Sequence, residues 1–286
     1  MKETELFDRA AVLLPGALRS EALFQPVSLR QRAEEIRLRC GLGAWLRLPD
    51  RQAPLRAPVG REEIEETVLR ASKSSLYTAE ESMRAGYFTA EGGYRLGFGG
   101  SVILREGRVA GFRSISSVSI RIPHSVQCVT DELYRSLKGC SVLIYSPPGG
   151  GKTTFLRDLI RRISDEGVRV SLADERGELA ALCGGIPQFD VGKNTDVIEG
   201  CPKKLAAEML LRAMSPQVLA VDELTAEEVP LLTSGLAAGV ILLATAHGRS
   251  REELRRRGIP DGLFDMAVGI EVRDGVRRYR MEEWKC

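Results

Sequence analysis

The chain has 286 residues, 41 of them Lys or Arg and 39 Asp or Glu, for a formal net charge of +2. That length can bury a full core and suits two domains, and the near-neutral balance removes the strongest reason to expect a dedicated nucleic-acid binder. Six cysteines without a C-x-x-C pair and only two histidines, His124 and His247, point to reduced cytoplasmic thiols rather than a metal site, and the charged opening Met1 to Arg9 does not read as a signal peptide.

Residues 1–35 carry mixed helical signals interrupted by Pro15-Gly16 and Pro26, with no assignable motif. Ile36-Arg-Leu-Arg39 and Trp45-Leu-Arg-Leu48 alternate apolar and basic residues on either side of Gly41-Leu-Gly43, a hairpin signal. Ile64, Thr67, Val68 and Ala71 share one face of a helix over Glu62 to Ala71, and Thr78-Ala-Glu-Glu81 has capping-box spacing. From Gly86 to Arg121, turn signals at Glu91-Gly92-Gly93, Gly99-Gly100 and Glu106-Gly107 separate strand-like runs, so an antiparallel meander is expected. Residues 1–135 are therefore expected to form a small α+β domain, joined to the rest between His124 and Gly139.

In residues 136–286 the pattern changes. Ser141-Val-Leu-Ile-Tyr145 is an apolar run of strand formers, and Phe155, Leu156, Leu159, Ile160 and Ile163 recur at helical spacing. Between them Ser146 to Thr154 reads Ser-Pro-Pro-Gly-Gly-Gly-Lys-Thr-Thr, a glycine-rich turn in the strand-to-helix context that a phosphate-binding loop requires. Several backbone N–H groups must converge on a polyphosphate, and residues without a Cβ allow that approach, hence Gly149, Gly150 and Gly151. The helix N-terminus adds a favourable dipole. Lys152 would place a mobile positive charge on the β and γ phosphates, the Thr153 hydroxyl would ligate Mg²⁺, and Thr154 would hold the α phosphate. ATP with Mg²⁺ is thus the expected ligand, cradled by Pro148 to Thr154. The pattern G-x-x-x-x-G-K-[ST] departs only at its first position, where Ser146 replaces glycine. That is tolerable if the Ser146 φ stays negative, with Pro147-Pro148 stiffening the turn.

Beyond the loop, Val168 to Ala173 reads as a strand running into Asp174-Glu-Arg-Gly-Glu178, Leu205 to Met214 as a helix, and Val218 to Val221 as a buried strand ending in Asp222-Glu223. Val229 to Ala246 is free of charge and raises the question of a membrane span. Its Pro230, Ser234, Gly235 and Gly239 divide it better into a short helix, capped by Thr225-Ala-Glu-Glu228, and a central strand Val240 to Ala244 leading to His247. Two last strands flank Asp274-Gly275. The class is α/β, with the acting groups at the carboxyl ends of parallel strands. There Asp222 would hold Mg²⁺ through its water shell, and Glu223 would orient or deprotonate the attacking water. Asp174, Glu175 and Glu178 either face the γ-phosphate or form a solvated loop paired internally with Arg176. His247 would bond the γ-phosphate or relay its loss to a partner subunit. The arginines from Arg249 to Arg257 read as a solvated helix face. If the first domain lies over the nucleotide, one of Arg95, Arg113 and Arg121 would neutralise transition-state charge, within the subunit or from a neighbour.

The succession of phosphate loop, acidic box at Asp174 to Glu178, Leu211-Arg-Ala-Met-Ser-Pro-Gln217 before Asp222-Glu223, and Gly239 to His247 resembles the motor core of the secretion and type IV pilus ATPases. Within that superfamily the chain is most similar to the stage III sporulation protein AA family of endospore-forming bacteria. That resemblance extends through Glu35-Ile-Arg-Leu-Arg39, Tyr77-Thr-Ala-Glu-Glu81, Gly86-Tyr-Phe-Thr89, Gly92-Gly-Tyr-Arg-Leu-Gly97 and Ile115-Ser-Ser-Val-Ser-Ile-Arg121. It implies a RecA-like P-loop NTPase core behind a smaller α+β N-terminal domain. It also implies a hexameric ring in the cytoplasm, working at the mother-cell face of the channel to the forespore and held to the membrane through embedded channel components; the near-neutral charge adds the expectation of no nucleic-acid partner. It assigns Gly149 to Thr154 to nucleotide, Asp222 and Glu223 to the Walker B pair, and His247 to the histidine box. Secretion ATPases usually carry Gly-Glu rather than Asp-Glu at Walker B, which leaves the base open between Glu223 and Glu178. The four-cysteine zinc site of type II secretion ATPases is absent. Two alternatives stand beside an ATP-driven motor. One is a RecA-like nucleic-acid motor, marked by DNA-stimulated and salt-sensitive turnover. The other is a scaffold ring that binds ATP without hydrolysing it.

Overall fold

The computed structural model describes residues 4–72, 84, 86–123, 128–273 and 276–284. His124, Thr78-Ala-Glu-Glu81 and Asp274-Gly275 lie outside them. The chain forms two compact units, Met1–His124 with Leu182–Gln188, and Ser125–Ala181 with Phe189–Cys286.

In the first unit, the segment without an assignable motif makes three short helices, Glu5–Val12, Gly16–Phe24 and Val27–Arg32. Pro15 and Pro26 each sit immediately before a helix, where a missing N–H has no helical partner to lose. The prolines that break the pattern therefore also start the next element. A fourth helix spans Arg61–Ser72. The strands β1 (Glu35–Arg39), β2 (Gly43–Arg47), β3 (Gln52–Leu55), β4 (Tyr87–Ala90), β5 (Tyr94–Arg105) and β6 (Arg108–Arg121) form one antiparallel sheet in the order β3-β2-β1-β6-β5-β4. Phe7 and Leu18 from the helices and Leu14 from the turn between them meet Ile36, Leu38, Leu46 and Leu96 from the sheet in a single core.

One turn expectation is overturned. Gly99-Gly100 does not reverse the chain; β5 runs through it, and its register with β6 shifts there. A Cβ on Gly100 would lie 2.1 Å from the Ser114 carbonyl oxygen, so glycine here serves the close backbone approach of a β-bulge.

The remaining strands are β7 (Val142–Ser146), β8 (Val170–Asp174), the short pair β9 (Leu182–Cys183) and β10 (Ile186–Pro187), β11 (Thr195–Glu199), β12 (Val218–Val221), β13 (Ile241–His247), β14 (Met266–Arg273) and β15 (Val276–Glu283). Seven of them build the sheet of the second unit in the order β11-β8-β12-β13-β7-β14-β15. All pairings are parallel except the last, β14 with β15. Strands β7, β8 and β12 are buried at every residue, as unbroken apolar runs require in a sheet covered on both faces. Ala206, Ala207 and Leu210 of the helix Lys203–Ala213 pack with Leu143, Leu219 and Leu242 of the sheet. Phe155, Leu156 and Leu159 of the helix Lys152–Asp165 are buried as well.

Val229 to Ala246 divides into the helix Val229–Ala237 and strand β13. Among the described residues, no helix is long and apolar enough to cross a membrane. The cap differs from expectation. The Glu228 carboxylate accepts from both the N–H and the hydroxyl of Thr225 at 2.8 Å, which closes a separate turn, and the helix begins only after Glu228 with Pro230 in its first turn. Nor are Arg251 and Arg255 simply solvated: both pair with Asp261, and Arg251 donates to the Trp284 carbonyl at 2.7 Å. The β9–β10 hairpin groups with the first unit, where the Gln188 side chain accepts from the Gly92 N–H at 2.7 Å.

Candidate nucleotide-binding site

Strand β7 delivers the phosphate loop from inside the sheet. Its last residue, Ser146, is buried and stays out of the positive-φ region. Gly149 and Gly151 have φ of 77° and 100°, conformations that glycine adopts without a steric penalty. Gly150 has an ordinary backbone but no room for a side chain, because a Cβ there would lie 2.2 Å from the Ser146 hydroxyl oxygen. The serine at the first position of the pattern is thus accommodated by a glycine at its fifth. The Gly150 N–H donates to the Pro147 carbonyl at 3.2 Å and closes the turn that the two prolines stiffen.

Lys152 opens the helix and is 5% exposed. Its Nζ donates to the Ser146 and Pro147 carbonyls at 3.3 and 3.4 Å and to His247 Nδ1 at 3.0 Å. Burial pulls its pKa down, against the attraction of Asp222 and Glu223. His247 reaches this place because β13 lies between β7 and β12 and pairs it with Ser146. On its other side, His247 Nε2 lies 3.1 Å from Glu223 Oε1.

Asp222 follows β12. Its Oδ2 accepts from the Thr153 hydroxyl at 3.2 Å, and its Oδ1 from the Thr245 hydroxyl. Burial pushes the Asp222 pKa up, and Asp174, Glu178 and Glu223 push it further, while the Thr245 bond opposes them. Glu223 adopts φ of 52°, unusual for a residue with a side chain. The bend is held by its N–H to Thr245 Oγ1 at 2.8 Å and by its carbonyl, which accepts from Lys203 Nζ at 2.6 Å.

In the acidic box, Asp174 and Arg176 depart from the solvated, internally paired loop. Asp174 is buried and turned inward, where it accepts from the backbone N–H groups of Glu178, Leu179 and Ala180 at 2.8 to 2.9 Å. Burial raises its pKa, which those three bonds counter. Arg176 does not close on its own loop; its Nη1 pairs with Glu223 Oε2 at 3.0 Å. Glu178 lies close enough to add to the negative potential at Asp222.

Lys152, Thr153, Asp222, Glu223 and His247 are therefore brought together, with Glu178 nearby and Thr154 one residue along the helix. Arg113 and Arg121 lie on β6 of the first unit, Arg121 in register with Glu35 and Arg95. Three participants were not singled out from the sequence. Thr245 and Lys203 brace the acid pair as described above. Arg157 donates to the Leu179 carbonyl at 2.8 Å and the Glu178 carbonyl at 2.5 Å, tying the acidic box to the loop helix. Nothing in the helix pattern marks Arg157, which stands off the face carrying Phe155, Leu156, Leu159 and Ile160. Beside the loop opens a cavity of about 560 Å³, lined by Ser146, Pro148, Gly149, Arg249, Arg273 and Arg280 among others, a volume typical of small-ligand sites.

A phosphate loop after one parallel strand, an acid pair after another and a histidine ending the strand between them define a RecA-like P-loop NTPase core. Solved structures share this fold. The pilus retraction motor PilT with bound ADP superposes with a TM-score of 0.60 at 16% identity, over 89% of this chain and 80% of that one. The ATPase DotB of Legionella pneumophila gives 0.56 at 16% identity, over 89% and 76%. In sequence, residues 9–271 match the family described as Sporulation stage III, protein AA. The chain is also 35% identical over 257 residues to Stage III sporulation protein AA of Bacillus subtilis (strain 168), covering 86% of this chain and 83% of that protein. The chain belongs to the stage III sporulation protein AA family.

Proposed function

We propose that this chain hydrolyses ATP and, as a hexameric ring, energises the channel between mother cell and forespore from the mother-cell cytoplasm, held to the membrane by embedded channel components. The observation that carries the hydrolytic reading is the continuous contact from Lys152 through His247 to Glu223, flanked by Asp222 and Thr153. Family membership and the likeness to a pilus retraction motor support the motor and its setting.

In this reading the loop N–H groups and Lys152 hold the β and γ phosphates, with Lys152 exchanging the loop carbonyls and His247 for the γ-phosphate. Among the described residues, no group of three or more His, Cys, Asp and Glu is placed to hold a metal. The adjacent oxygens of Thr153 and Asp222 are nonetheless the donors Mg²⁺ takes when phosphate and water complete its shell. Bound there, Mg²⁺ would neutralise charge on the β and γ phosphate oxygens. Glu223 is the base in this proposal. Its carboxylate takes a proton from water as that oxygen bonds to the γ phosphorus. The bond to the bridging oxygen breaks, ADP leaves with the electron pair, and inorganic phosphate forms.

The test is phosphate release by the purified chain with Mg²⁺ and ATP, beside Lys152→Ala and Glu223→Ala, with mass determination of the nucleotide-bound form. Wild-type turnover that both substitutions abolish is expected. Undiminished turnover in both would sink the assignment. Tight ATP binding by the wild type without phosphate release would instead leave a scaffold, and a monomeric mass with ATP bound would remove the ring.

A further inference from the structure

The hairpin β14–β15 presents several arginines beside the phosphate loop, and most are already engaged. Arg273 pairs with Glu271 at 3.0 Å, and Arg280 donates to the Tyr145 hydroxyl at 2.7 Å. Arg277 is placed otherwise. Its Nε donates to the Gly150 carbonyl at 3.3 Å. A Cβ built on Gly151 would lie 2.8 Å from that Nε and 3.6 Å from Cζ. The guanidinium therefore lies directly on the two glycines that precede Lys152, and its side chain is exposed. Among the described residues no carboxylate pairs with it, and its Nη1 and Nη2 make no hydrogen bond.

The position is braced. Tyr279, two residues along the same strand and so on the same face, packs against Phe155 with ring centroids 5.2 Å apart. Phe155 belongs to the helix that begins with Lys152, so the strand carrying Arg277 and the helix carrying the loop are packed together. A cation with no carboxylate partner among the described residues, resting on a loop shaped to receive a polyanion with its Nη donors unused by those residues, matches the geometry by which arginine holds phosphate oxygens.

We propose that Arg277 is a nucleotide-binding residue acting in cis: its Nη donors take oxygens of the diphosphate common to ADP and ATP, while Nε keeps hold of the Gly150 carbonyl. This rests on reading the loop as the ATP site. It differs from the role of Lys152, which reaches from inside the loop toward the γ-phosphate. Because ADP and ATP share the group that Arg277 grips, its loss weakens both alike, whereas a γ-phosphate contact would weaken ATP selectively.

The test is calorimetric titration of the full chain, wild type, Arg277→Ala and Arg277→Gln, with ADP and with a non-hydrolysable ATP analogue in Mg²⁺, alongside ligand-free melting curves. Glutamine keeps a donor for the Gly150 carbonyl but has no charge, so it separates a staple of the loop from a phosphate ligand. The expected result is a loss of about tenfold or more in affinity for both nucleotides in both variants, with their ratio unchanged and ligand-free melting near wild type. Unchanged affinity in the alanine variant overturns the inference. So does wild-type affinity in the glutamine variant, which would make Arg277 a staple only. A wild type that binds neither nucleotide would overturn the ATP site itself, and this inference with it.

Discussion

Lys152 and His247 hold each other, with the lysine Nζ donating to the histidine Nδ1 at 3.0 Å. An ammonium group only donates, so Nδ1 is the acceptor, and the neutral ring carries its proton on Nε2, facing Glu223 Oε1. A phosphate that draws Lys152 away removes the partner of His247, and so loosens the histidine that holds the proposed base.

Replacing His247 by alanine should therefore separate binding from chemistry. ATP affinity is expected to stay within about threefold of wild type while turnover falls by about a hundredfold, the size of effect expected from losing a group that orients a base. Steady-state phosphate release across ATP concentrations reads both quantities. Equal turnover in the variant would show that Glu223 needs no orientation from His247.

The loop makes a reciprocal prediction. Gly150→Ala alone should abolish nucleotide binding, since its Cβ would meet the Ser146 hydroxyl at 2.2 Å. Combined with Ser146→Gly, the next obstacle is the Pro147 carbonyl at 3.2 Å, which a small shift can accommodate. The double variant should thus recover binding that the single variant loses, measurable by nucleotide-induced thermal shift.

Asp174 is expected to matter for structure rather than proton transfer. Asp174→Ala would leave the buried N–H groups of Leu179 and Ala180, and that of Glu178, without their acceptor. The second unit should lose about 2 to 4 kcal/mol in urea unfolding. Asp174→Asn would keep one acceptor oxygen and should fall between alanine and wild type.

In the first unit, Gly100→Val would drive a Cβ into the Ser114 carbonyl. Forced overpacking of this kind costs about 1 to 3 kcal/mol, so a lowered first-unit melting transition is expected, with the ATP affinity of the second unit retained. A variant as stable as wild type would show that the bulge can relax.

The parts legible in the sequence were those whose chemistry sits on a single local pattern. Gly149 to Thr154 declares itself because strand, glycines, lysine and helix are contiguous. Asp222, Glu223 and His247 could be placed at strand ends because the apolar runs mark where β12 and β13 stop. The stretch Val229 to Ala246 was divisible because proline and glycine mark its joint. What stayed hidden depends on pairings between distant segments. Whether Gly99-Gly100 turns or bulges is decided by Ser114 across the sheet. Arg176 turns to Glu223 rather than to its own loop because β8 and β12 are neighbours. Arg277 reaches Gly150 only because β14 pairs with both β7 and β15. No spacing rule within one segment carries that information.

The backbone of Glu223 carries a conformational cost of its own. With φ at 52°, this is a position where glycine would be the comfortable residue and any side chain gives up about 1 to 2 kcal/mol. The chain nevertheless places a glutamate there, and the sharp turn aims its carboxylate at His247 and Arg176. Durability and reactivity are thus opposed within one residue. Glu223→Gly should yield the hardier protein and the inert one, and the difference in melting between it and Glu223→Ala would measure how much rigidity the site gives up to hold its carboxylate in place.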